Sequence, residues 1–281
     1  MTALGIIRLL PLSARITGGR VWLNGRDLLT LTDRQMDAVR GKEIAMIFQD
    51  PKGSLDPAFT IGNQVSEPLR LHLGLSRHQA WSRAVELLDQ VKLPRAAERA
   101  HDYPHQLSGG QLQRVMIAAA LACSPDLLIA DEPTTALDVT VQGKILDLLA
   151  ELRSELGMAM IFVSHDLGVV ADICDKVIVM YAGQVVESAG IHQLFSVPCH
   201  PYTERLLETL PGSVPPGEPL ARIPGQVPPA ELWPDDRCRF ADRCDHAEPI
   251  CVGEMPSLRA VQGSLSRCVR TEQLRAVEEV R

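Results

Sequence analysis

Apolar residues follow two rhythms along the chain. From Pro51 to about Gln106 they recur at helical spacing: Ala80, Ala84, Val85, Leu88 and Val91 share one face, and Ser76 with Gln79 forms a capping box ahead of them. Elsewhere the apolar positions gather into short runs, Ile44–Phe48, Leu127–Ala130, Met158–Val163 and Lys176–Met180. Continuous runs of this length predict strands buried on both faces of a parallel sheet. Residues 1–50 read as the end of a helix, a short strand pair around Val21 to Leu28, and the first apolar strand. After Gln106 helices alternate with strands, and Lys176–Met180 extends the same sheet, so an α/β class with an inserted helical subdomain is predicted. Beyond about Pro198 the composition shifts. Pro211 to Pro229 is crowded with Pro and Gly, which favours an extended linker, and a small cysteine-rich extension follows. The expected division is core at 1–50, helical subdomain at 51–106, core again at 107–197, and tail at 198–281, with no internal repeat.

With 281 residues, 46% of them hydrophobic, the chain can bury one large core or two modest ones. Its formal charge of −7 comes from interspersed acids and bases without a long basic run, so neither nucleic acid nor an anionic membrane surface is expected as the main partner. No apolar stretch reaches the ~18 residues that would suggest a spanning helix. The opening MTALGIIRLLP lacks a basic n-region and a small-residue cleavage site, so no signal peptide is expected and a cytoplasmic address follows. In that compartment the seven cysteines are expected to be buried, metal-bound or catalytic rather than disulfide-paired.

Candidate chemistry clusters behind the apolar runs. Leu107-Ser108-Gly109-Gly110-Gln111 opens an apolar helix with small residues, so its free N–H groups and positive dipole end can face a phosphate closely. By itself the stretch also fits a plain helix start. Leu127–Ala130 ends in Asp131 and Glu132, where ligands of α/β sheets gather. Asp131 can hold Mg²⁺, and Glu132 can polarise a water that attacks a γ-phosphate; an acidic pair after a strand can equally be a solvated turn. Ala136-Leu137-Asp138 follows in the same loop. His165, after the next apolar run, can bond a γ-phosphate, and Gln49, after the first, can contact both metal and attacking water. Alone, neither His165 nor Gln49 carries a function.

Taken in order, Gln49, the LSGGQ stretch, Asp131-Glu132, Asp138 and His165 resemble the motif set of the ABC ATPases, a branch of the P-loop NTPases, over residues 1 to about 195. The resemblance implies ATP and Mg²⁺ as ligands, with ATP sandwiched between two such domains. The Ser108, Gly109, Gly110, Gln111 and Asp138 surface of one would close on nucleotide held by the other. The insertion between Gln49 and Leu107 has room for a compact helical subdomain but not for a long coiled coil, which favours a transport ATPase over the SMC-like and repair classes. No G-x-x-x-x-G-K-[ST] stretch is present. Thr2–Pro11 resembles the helix that follows this loop in peptide-importer ATPases. The resemblance therefore implies an N-terminally truncated core, through a misread start or a real truncation. A catalytically incompetent partner subunit, offering only its signature surface, is the alternative.

His200-Pro201-Tyr202-Thr203, Leu206-Leu207 and Ile223–Pro228 resemble the C-terminal extension of the oligopeptide, dipeptide and nickel importers. The implied partners are a second ABC ATPase subunit, two transmembrane permease subunits and an extracytoplasmic binding protein, with the chain peripheral on the cytoplasmic face of the inner membrane. Peptide is the implied substrate, nickel the alternative. Cys238, Cys244, Cys251 and Cys268 are separated by five, six and sixteen residues. Four thiolates suit Zn²⁺ or an iron–sulfur cluster, and gaps wider than those usual for structural zinc favour [4Fe–4S], as does the resemblance. Unligated thiols remain a third option. Cys123 and Cys174 read as packing residues in apolar helices.

Overall fold

The computed structural model describes residues 1–135, 137–210 and 221–278. Ala136 of the expected Ala136-Leu137-Asp138 turn and residues 211–220 of the expected linker lie outside the described residues. The chain forms two units, Met1–His165 and Asp166–Arg281.

The first unit opens with α1 (Thr2–Ile6), then a ribbon of β1 (Trp22–Leu23) and β2 (Arg26–Asp27), then α2 (Asp33–Val39). The ribbon turns at Asn24 and Gly25, both at positive φ, as a two-residue hairpin turn requires. Helix α2 is not among the sequence expectations. It turns only Met36 and Val39 inward, too few apolar positions to set up a period, and is fixed instead by a Thr32–Gln35 capping box. Ala3, Ile7, Leu28, Met36 and Val39 close a core with Ile44 and Ile129.

β3 (Ile44–Ile47), β4 (Leu127–Asp131) and β5 (Ala159–Val163) form a parallel sheet in the order β3-β4-β5. Between β3 and β4 the chain runs through α3 (Pro51–Ser54), α4 (Ile61–Leu73), α5 (Arg77–Gln90), α6 (Ala96–Arg99) and α7 (Gly109–Leu121), and α8 (Val139–Leu156) links β4 to β5. α4, α5 and α7 pack on one another, burying Ile61, Val65 and Leu69, Ala84, Leu87 and Leu88, and Val115. The Ser76–Gln79 capping box starts α5. β3 and β4 are largely buried. β5 departs from the expectation of burial on both faces: it borders the sheet, and Ile161 and Val163 are each 37% exposed.

The second unit holds α9 (Leu167–Ile173), β6 (Lys176–Tyr181), β7 (Gln184–Gly190), α10 (Ile191–Ser196), α11 (Pro201–Glu208), β8 (Arg259–Val261), β9 (Ser264–Ser266) and α12 (Thr271–Glu278). Here the sequence reading needs correction. β6 does not extend the parallel sheet; it pairs antiparallel with β7 in a separate sheet of order β6-β7-β9-β8. The cause is the turn at Ala182-Gly183, with φ of 45° and 73°, which folds the chain straight back into a hairpin. The buried and exposed residues of β6 alternate, as in a strand with one open face, but its outward Ile178 and Met180 are apolar and hide that alternation from the sequence. Because β9 pairs with β7, residues on both sides of the expected 197/198 division share one sheet. No described helix is long and apolar enough to cross a membrane.

Gly62 is a packing constraint. A Cβ there would lie 2.7 Å from the Ala100 carbonyl oxygen and 2.7 Å from the Trp81 ring. Gly62→Ala is expected to destabilise the first unit by about 1–3 kcal/mol, read as a lower midpoint in urea unfolding; an unchanged midpoint would show that α4 and Trp81 can separate freely.

Candidate active site

In the first unit Ile47 is level with Ala130, and Asp131 with Val163. The carboxyl ends of β3, β4 and β5 therefore finish together, and the residues just beyond them share one edge. Gln49, Glu132 and His165 meet there. Glu132 Oε2 accepts hydrogen bonds from Gln49 Nε2 at 2.7 Å and from Thr135 Oγ1 at 2.9 Å, and Oε1 lies 3.4 Å from His165 Nδ1. The bond from Thr135, with those from His165 and Gln49 and the charge of His165 behind it, favours the ionised carboxylate. Together they outweigh partial burial and hold the Glu132 carboxyl below its ordinary range. Its backbone sits at φ 48°, in the left-handed region, while its N–H still donates to Val163 O at 2.9 Å. A non-glycine residue there carries strain on the order of 1–2 kcal/mol. The ladder thus runs to the last possible residue before the chain swings into the turn. The His165 side chain is 75% exposed and that of Glu132 25% exposed, so the cluster opens to solvent.

Asp131 is half-buried, directly before Glu132 at the end of β4, and its carboxylate could face a cation at this edge. Gln49 contacts Glu132 through Nε2, so its amide oxygen can face the same cation. Asp138 serves as the N-cap of α8, accepting from Val141 N at 2.9 Å. Ser108 stands at the N-cap of α7, exposed, and its N–H donates to Gln111 Oε1 at 3.0 Å. Among the described residues, no hydrogen bond or ion pair joins Ser108–Gln111 to Gln49, Glu132 or His165. The glycines also have a packing role that spacing does not reveal. A Cβ on Gly110 would lie 2.7 Å from Val141 Cγ1, so its absence lets the start of α7 press on the start of α8. Thr135 is the residue the sequence reading passes over. The only signal for it is a hydroxyl three positions after a carboxylate in a turn.

In the second unit Cys238, Cys244, Cys251 and Cys268 line one small, largely apolar cavity with His200, His246, Phe240 and Leu274. Burial first, and then the neighbouring thiols, pushes the Cys244 thiol up to about 11, and burial raises Cys238 likewise. His200 is fully buried, accepts from Tyr202 N at 3.1 Å, and is held neutral, its pKa lowered to about 3 chiefly by burial. The expected ligand set is thus gathered on one cavity. Among the described residues, however, no group of three or more His, Cys, Asp or Glu is arranged to hold a metal ion.

Comparison with known proteins gives the family. The ABC transporter family profile matches residues 6–135, and that of the oligopeptide/dipeptide transporter C-terminal region matches residues 186–251. A putative peptide import ATP-binding protein of Brucella abortus is 50% identical over 268 residues, covering 95% of this chain and 80% of that protein. A probable peptide ABC transporter ATP-binding protein of Sinorhizobium fredii is 48% identical over 276 residues, covering 98% and 82%. Among solved structures, the dimeric post-hydrolysis state of the ATP-binding cassette MJ0796 bound to ADP and Pi aligns with a TM-score of 0.57 at 33% identity, over 62% of this chain and 74% of that one.

Gly110→Ala is expected to cost about 1–3 kcal/mol in urea unfolding by forcing α7 off Val141, and adding Val141→Ala should recover more than about 0.5 kcal/mol of it. Strictly additive losses would mean that the two residues do not constrain each other.

Proposed function

The chain belongs to the ABC transporter family of ATP-binding proteins, and on that premise we propose that it is the ATP-hydrolysing subunit of a peptide importer, with Glu132 as general base. The observation that carries the reading is the convergence of Gln49, Thr135 and His165 on the Glu132 carboxylate, with groups drawn from all three strand ends. An ionised carboxylate at this edge can take the proton of a water aligned on the γ-phosphate of ATP. Gln49 would orient that water, His165 would donate to the γ-phosphate, and Asp131 with the Gln49 amide oxygen would hold Mg²⁺. When bound, Mg²⁺ neutralises charge on the phosphates and aligns them.

Ser108–Gln111 and Asp138 are read as the surface that meets nucleotide on a second ABC subunit. Their place at the exposed starts of α7 and α8 supports this division of labour. Two permease subunits and an extracytoplasmic binding protein complete the proposed assembly, with this chain peripheral on the cytoplasmic side. A helical subdomain at 51–106 would carry the permease contact.

The four thiols of the tail are read as ligands of a [4Fe–4S] cluster, with Zn²⁺ as the alternative. Their gathering on one cavity and their all-sulfur donor set support the reading. A bound cluster would staple the tail; it has no part in the hydrolytic step.

Calorimetric titration with Mg-ATP should be run on this chain beside a version extended upstream in its reading frame. Binding by the extended form supports the hydrolytic reading, and binding by neither overturns it. In a nucleotide-binding form, Glu132→Gln is expected to cut turnover at least about 100-fold and to trap an ATP-bound dimer on gel filtration; persisting turnover would remove Glu132 from the base role. Protein prepared without oxygen is expected to carry iron and sulfide that Cys251→Ser loses. Zinc in their place selects the alternative, and freely titratable thiols without metal overturn both.

A further inference from the structure

Of the three donors around Glu132, two have other duties in the proposed reaction. Gln49 would turn to the metal and the attacking water, and His165 to the γ-phosphate, so each must release the carboxylate when nucleotide arrives. Thr135 has no second duty. It lies on the same turn as Glu132, its N–H donating to Glu132 O at 3.2 Å and its Oγ1 to Oε2 at 2.9 Å. Its donor therefore travels with the acceptor. The turn also needs such a clasp, because Glu132 stands at φ 48° and its side chain leaves the strand line.

A carboxylate acting as a base works best with one oxygen pinned and the other free to accept a proton. We propose that Thr135 is a positioning residue for hydrolysis: its hydroxyl fixes Glu132 Oε2 so that Oε1 faces the attacking water once Gln49 and His165 have moved to the nucleotide. This inference rests on the reading of Glu132 as base. In the step itself the water oxygen bonds to the γ-phosphorus, the bond from that phosphorus to the bridging oxygen of ADP breaks, and the proton of water passes to Oε1. Oε2 keeps its bond to Thr135 throughout.

Thr135→Val removes the donor and keeps the branched shape at an exposed position; Thr135→Ser restores the hydroxyl. ATPase rates of the assembled transporter should be followed against ATP concentration. Thr135→Val is expected to lower kcat roughly tenfold, the factor set by one hydrogen bond to a charged group, with KM unchanged. Thr135→Ser should return the rate. A valine variant with the parent kcat, alongside an inactive Glu132→Gln, overturns the role of Thr135 and leaves Glu132 in place. Turnover by Glu132→Gln overturns instead the base assignment beneath it.

Discussion

Ile47 pairs with Ala130 and Asp131 with Val163, and this in-step parallel pairing levels three strand ends that lie far apart in sequence. A slip of one residue would move an end by about 3.3 Å and turn every side chain to the opposite face. The 2.7 Å bond from Gln49 to Glu132 could not survive it. Packing holds the register: Ile44, Ile47, Leu128 and Ile129 are all within 2% of full burial, on both faces of the sheet, and a slip would force each into space filled for a different side chain. Hydrophobic pairing several residues back along the strands thus sets the chemistry at the edge.

Much of that edge is legible in the sequence, because short apolar runs that end in Gln49, Glu132 and His165 mark the strand ends by themselves. Their mutual distances are not legible, since register is a property of pairing between strands and leaves no mark on either strand alone. Thr135 escapes for a related reason. Its role depends on the left-handed backbone of Glu132, which folds the turn back on the carboxylate. In the sequence Gly110 offers room for a ligand, and the structure adds Val141 to its surroundings. A glycine announces that something approaches closely, without saying what.

The second unit shows where apolar counting misleads. Its tail looks too poor in apolar residues for a core of its own, yet Phe240 is 2% exposed. Edge-on contacts to Tyr181 of β6 and Tyr202 of α11 flank it. The tail borrows a core, and strand pairing from β7 to β9 fixes it there. Polar groups are buried in the same place. Glu187, fully buried, accepts from the N–H groups of Cys199 at 2.7 Å and His200 at 2.9 Å, which ties the approach to α11 to the middle of β7. Unpaired, such a carboxylate would be costly to bury, so the segment around 199–200 is held closely to it.

The close seat of Gly110 on Val141 leaves no slack between the first turns of α7 and α8. The turn that displays Ser108 and the cap Asp138 of α8 therefore stand on adjoining helix starts. A bulkier residue at position 110 would part both exposed helix mouths at once.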